Sequence, residues 1–145
     1  MGMTIDVPEG FEGLGESMRA LLSDIALGVK TARFGRTPDY SKVEENVAER
    51  AAEIERQSHR VMLQALDVDA QNVTIDGKRH RRVLRDDATY HTMAGDVVVT
   101  RSLYRECGTH RGKTVDAVSL RAGVVGDGWL PLTAQAMAHL LSQGT

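Results

Sequence analysis

Apolar positions along the chain change period once, and that change predicts the architecture. From residue 16 to about 66 they recur at helical spacing. Met18, Leu21, Leu22, Ile25, Leu27 and Val29 follow the i, i+3, i+4, i+7 pattern and predict a helix over 16–30. Its continuation past Lys30 and Arg33 ends at Gly35. A longer helix is predicted over 41–66. Ser41 is its expected N-cap, and Glu44 three residues later completes a capping box. Val47, Ala51, Ile54, Ser58, Val61 and Ala65 step along it as a heptad-like seam, widened by Ala48, Met62 and Leu66. The seam fits two partners, the first helix in an αα-hairpin or a second copy in a homodimer through 41–66, and the hairpin is the preferred reading.

From residue 73 the period falls to two. Val73-Thr74-Ile75 and Arg79 to Leu84 flank Asp76-Gly77, a strong hairpin-turn dipeptide. Asp86-Asp87-Ala88 is expected to break the chain. A second hairpin is expected around Gly95-Asp96, between strands at 89–93 and 97–104. In the latter, Val97, Val99, Arg101 and Leu103 share one face, and Val98, Thr100, Ser102 and Tyr104 the other. One further short strand is expected within 114–120. After the turn-rich 123–128, Pro131 sits in the first turn of a final helix lined by Leu132, Ala136, Met137, Leu140 and Leu141. Pro8, Gly10, Gly13 and Gly15 make residues 1–15 an irregular arm. The fold expected is α+β: two N-terminal helices, the second long, a small antiparallel hairpin sheet and a C-terminal helix. Residues 16–145 are read as one domain, with a helical part at 16–66, a sheet part at 73–120 and the last helix at 131–143.

Charge changes this picture. The 145 residues sum to −2, but residues 77–113 carry nine Lys/Arg against four Asp/Glu, a net of +5, leaving −7 on the rest. The β-rich stretch is thus a basic region in an acidic chain, which suits a polyanionic or acidic partner. Alternatively, the basic strands pair with acidic residues inside the fold. Lys78, Arg79, Arg81, Arg82, Arg85, Arg101 and Arg105 are the candidate nucleic-acid contacts. Strand alternation places Arg79 and Arg81 on one face and His80 and Arg82 on the other, so they do not all address one ligand.

The remaining chemistry is sparse. Cys107 is the only cysteine, which excludes an intrachain disulfide and any multi-thiolate metal site and suits a reducing compartment. His80, His91, Cys107 and His110 offer one half of a zinc site, Cys107-x-x-His110, without a second. Asp86 and Asp87 are adjacent on an extended chain and point apart. Cys107 as a nucleophile would need a positioned base, for which His110 is weak support. No Ser/His triad pattern or dinucleotide fingerprint occurs, so neither a catalytic residue nor a metal or cofactor is expected. No apolar run approaches the ~20 residues of a membrane span. Residues 1–6 lack a signal-peptide pattern, and Gly2 is given no weight as a lipidation site. A cytoplasmic location with no membrane contact is expected.

One resemblance adds to these readings. Asp76-Gly77, Arg81-Arg82-Val83-Leu84, Tyr90 and the run from Gly95 to Arg105, followed by Gly112, Gly123-Val124-Val125 and Trp129-Leu130-Pro131-Leu132, resemble the N-terminal region of bacterial insertion-sequence transposases with an RNase H-like, DDE-type core. The resemblance runs from Asp76 to the C-terminus, about half the chain. It departs from the pattern in carrying only Cys107 where many relatives have paired cysteines, and the catalytic core would lie beyond Thr145. It therefore implies a non-catalytic nucleic-acid-binding or assembly module. The alternative is a protein–protein interaction module from a mobile element, inhibiting a host nucleoprotein complex of the defence type through Glu45, Glu49 and Glu53 on the acidic helix.

Overall fold

The computed structural model describes residues 3–143. Gly2 and the terminal Gly144-Thr145 lie outside the described residues. The fold is α+β. In chain order it comprises α1 (Glu12–Arg33), α2 (Tyr40–Ala65), β1 (Asn72–Ile75), β2 (Lys78–Thr92), β3 (Gly95–Glu106), β4 (Val115–Asp116), α3 (Ala117–Ala122) and α4 (Pro131–Gln143). The chain divides into two compact units, Met1–Val61 and Met62–Thr145, with the boundary inside α2. Among the described residues no helix is long and apolar enough to cross a membrane.

In the first unit, α1 begins earlier than glycine content suggests. Gly13 and Gly15 lie inside the helix, and at Gly15 the packed Val7 leaves little room for a side chain. A Cβ on Gly13 would meet Gln57 Oε1 at 2.7 Å, and one on Gly15 would meet Val7 Cγ1 at 3.0 Å. Asp24 ties α1 to α2: its carboxylate accepts from Asn46 Nδ2 at 2.8 Å and Arg50 Nε at 2.7 Å. These donors, Asn46 first, hold the Asp24 carboxyl below its usual range. Ile25, Val29 and Ala32 of α1 and Tyr40, Val43 and Val47 of α2 line an apolar groove of about 300 Å³. The expected capping box at Ser41 is not formed. The helix starts one residue earlier, and the Asp39 carbonyl accepts from the Lys42 and Val43 N–H groups. Ser41 donates its hydroxyl to the Asp39 carboxylate at 2.6 Å, so Asp39 takes the capping position.

The second unit holds one antiparallel sheet in the order β1-β2-β3-β4. Asp76 and Gly77 turn β1 into β2 with φ of 51° and 75°. Two consecutive left-handed residues give the tight turn whose twist matches the flanking strands, which Asp-Gly tolerates best. The expected break at 86–88 does not occur, and β2 runs unbroken for 15 residues. Cross-strand partners absorb both carboxylates: Asp86 accepts from Arg101 Nε at 3.0 Å, and Asp87 from the Thr100 hydroxyl at 2.8 Å. The second hairpin turns at Met93-Ala94, so Asp96 belongs to β3 and its carboxylate accepts from His91 Nδ1 at 2.7 Å.

A β-bulge changes the expected alternation. Arg82 pairs with Tyr104 but Leu84 with Leu103, leaving Val83 extra. Arg82 and Arg85 therefore share a face, with Tyr104 and Ser102 opposite them, whereas strict alternation separates them. Burial in β3 switches phase along its length: Val97 and Val99 are buried at one end, Ser102 and Tyr104 at the other. The apolar cluster comprises Leu63, Tyr90, Val97, Val99 and Val118, with Leu66, Ala88, Ala122, Val124 and Leu130 against it. Gln64 closes the open edge of β3, donating to the Thr100 carbonyl at 2.9 Å and accepting its N–H at 3.1 Å. The strand expected within 114–120 is cut to two residues by α3. Asp116 caps that helix, accepting the Ser119 N–H at 2.8 Å, and Gly123 ends it. The last helix starts at Pro131, as its first-turn proline requires.

Candidate nucleic-acid interface

The sheet sorts its cations into two groups. Arg82, Arg85 and Arg101 are bound to carboxylates inside the unit. Arg82 pairs with Asp69. Arg85 reaches Asp67 and Asp69, each at 3.2 Å, and donates to Ser102 Oγ at 2.7 Å. Asp67 is deeply covered, its side chain 5% exposed, and it also accepts the Ser102 N–H at 2.9 Å. The buried Tyr104 hydroxyl lies 2.7 Å from both the Val68 and Ala70 carbonyls. These contacts fasten the 67–70 connector over one face of β2 and β3.

Arg101 forms the second knot. It pairs with Asp86 at 3.0 Å and Asp116 at 3.2 Å. Burial opposes its charge, but its hydrogen bond to the Asp86 carboxylate and the nearby Asp116 carboxylate outweigh that and keep it firmly protonated. Tyr90, fully buried, has its hydroxyl 3.3 Å from Asp116 Oδ2 and 3.1 Å from Ser119 Oγ. Burial pushes the Tyr90 phenol above its ordinary value. The unfolded chain then loses the Tyr90 proton first as pH rises, so stability declines above the ordinary tyrosine pKa of about 10. Tyr90→Phe is expected to flatten that alkaline decline, measured as urea unfolding midpoints between about pH 9 and 11. An equally steep decline in the variant would assign it elsewhere.

The other group lies at the end of the sheet that carries the β1–β2 turn. Arg79 and Arg81 are exposed, and among the described residues no carboxylate pairs with either. Lys78 is 66% exposed and only loosely held, 3.9 Å from Glu106. Arg105 donates Nε to the Gly112 carbonyl at 3.0 Å and has no acidic partner among the described residues. Arg81 and Arg105 stand directly opposite each other across β2 and β3. Like charges so placed are unfavourable. Arg111 and Lys113 are exposed in the following loop and add to the same sign. Of the seven candidate contacts, Arg79, Arg81 and Arg105 share one face at this end of the sheet, Lys78 projects from the other face beside Glu106, and Arg82, Arg85 and Arg101 are committed to internal ion pairs.

Sequence reading missed the acidic half of those pairs. Asp67 and Asp69 read as a polar connector, and Asp116 as a residue in a strand. Asp116-x-x-Ser119 was the available signal, since aspartate three residues before a helical N–H is a capping pattern. On the acidic helix, Glu45 and Glu49 are exposed, whereas Glu53 is half-buried and accepts from Gln57 at 3.0 Å and from Arg56 at 2.6 Å. Those bonds, Gln57 first, hold its carboxyl below the usual range. Cys107 and His110 are both exposed. Among the described residues no three His, Cys, Asp or Glu side chains converge where a metal would sit. Comparison with protein-family models, with curated proteins and with solved structures finds no match for this chain.

Proposed function

We propose that this chain is a non-catalytic nucleic-acid-binding or assembly module that grips the phosphate backbone with the turn end of its sheet. The resemblance of the hairpin stretch to insertion-sequence transposase N-terminal regions supports the same reading. One observation carries it: among the described residues Lys78, Arg79, Arg81 and Arg105 lack firm acidic partners, in a unit that neutralises its other sheet arginines. A cation cluster left open at one end is what a phosphate backbone recognises, since phosphate contacts demand charge and little geometry. A two-stranded ribbon also fits the major groove of a duplex. The acidic remainder of the chain repels phosphate and confines the contact to this end.

The test is a titration of fluorescent duplex and single-stranded oligonucleotides with the full chain at two salt concentrations. Four backbone contacts give a log–log salt slope near −3.6 on duplex DNA, so affinity should fall about 100-fold between roughly 50 and 200 mM salt. Absence of binding to any of these strands at the lower salt would remove the proposal.

A further inference from the structure

We infer that the cavity between the bulged part of β2, the end of β3 and the loop after it seats a single phosphodiester of a bound strand. This inference rests on the nucleic-acid reading above and deepens it. The cavity measures about 240 Å³, with Arg81, Arg105, Glu106, Cys107 and Thr109 among its walls. It falls just short of the ~300–1,000 Å³ of pockets that enclose a whole small ligand. It accommodates one phosphoryl group with water and leaves sugar and base outside.

The facing arginines of the walls point to an oxyanion. Arg81 and Arg105 are cross-strand partners, and among the described residues neither is ion-paired with a carboxylate. An anion placed there turns a repulsive pair into a two-sided clamp, and guanidinium forks match phosphate oxygens bidentately. The bulge at Val83 sits one residue beyond Arg82, and bulges bend the strand and re-aim side chains. Arg82, also in the wall, is already committed to Asp69. The Thr109 hydroxyl donates to the Glu106 carbonyl at 2.7 Å, so the arginines are the donors left for a ligand. Glu106 sets the charge that fits. Its carboxylate lies 3.9 Å from Lys78, and a negative wall group favours a monoanionic diester over a dianionic terminal phosphate.

Cys107 is the only thiol of the chain, it is exposed, and it lines this cavity. Its alkylation by iodoacetamide, a neutral reagent, therefore reports occupancy. The rate is measured on the full chain at constant ionic strength with chloride alone, with inorganic phosphate, and with a duplex lacking terminal phosphates. At duplex concentrations ten times its dissociation constant, mass action predicts alkylation about tenfold slower. Arg81→Gln with Arg105→Gln should restore the free rate and reduce the salt slope of duplex binding by about two. Arg81→Lys with Arg105→Lys keeps the charge but not the forks, and should protect less than the native pair. If duplex is bound in a mobility shift yet Cys107 reacts at the free rate, the cavity is not the seat and the wider binding proposal stands. Absence of any duplex binding overturns both. Protection by inorganic phosphate as strong as by an equal concentration of duplex phosphate overturns the diester assignment.

Discussion

Asp116→Ala is expected to destabilise the Met62–Thr145 unit by about 3–5 kcal/mol, the cost of removing one partner from a buried ion pair. Asp116 is 6% exposed and holds three groups at once: the Arg101 guanidinium at 3.2 Å, the Tyr90 hydroxyl at 3.3 Å and the Ser119 N–H at 2.8 Å. Alanine leaves Arg101 with Asp86 alone and strips the cap from α3. A lost cap by itself costs about 1 kcal/mol, so the buried charge dominates. Asp116→Asn separates the two effects, because the amide oxygen still accepts the Ser119 N–H while the charge is gone. Trp129 is the only tryptophan and packs against His91 at 4.5 Å between ring centroids, so its fluorescence follows urea unfolding of this unit. Equal midpoints for Asp116→Ala and the native chain would mean that Arg101 and α3 are held by other contacts.

The second large effect concerns binding. Replacing Lys78, Arg79, Arg81 and Arg105 together by glutamine should lower affinity for a duplex about 100-fold at roughly 50 mM salt and remove most of its salt dependence. Stability should fall by no more than about 1.5 kcal/mol, the loss of the Arg105–Gly112 hydrogen bond, since the other three side chains are exposed and among the described residues none of the four holds a firm ion pair. Relief of the Arg81–Arg105 opposition acts in the favourable direction. Full affinity in the quadruple variant, measured by the same titration, would place the contact elsewhere.

How far the sequence foretold this arrangement depends on the range of the interactions involved. Locally encoded features were legible. Asp76-Gly77 dictates its turn through two left-handed residues, and Pro131 opens its helix because its missing N–H costs nothing there. Features set by distant neighbours were not. Gly15 looks like a helix breaker until Val7 is seen packed against it. Asp86-Asp87 looks like a break until Arg101 and Thr100 arrive from β3. The bulge at Val83 has no signature of its own, and it reverses which arginines share a face. The same applies to the site. The seven basic residues were visible as a charge excess. Which of them are spoken for was decided by Asp67, Asp69, Asp86 and Asp116, whose approach depends on the tertiary fold.

The division of labour among the arginines is the central claim, and one paired measurement addresses it. Arg79→Gln with Arg81→Gln is compared with Arg85→Gln with Arg101→Gln, reading duplex affinity and urea stability for each. The first pair should weaken binding about tenfold or more, with a salt slope smaller by about two, at unchanged stability. The second should cost about 2–4 kcal/mol of stability, because the covered Asp67 and Asp116 lose their partners, and should leave the affinity of the folded protein within about twofold. Equal losses of affinity in the two variants, with stability unchanged in both, would contradict the account.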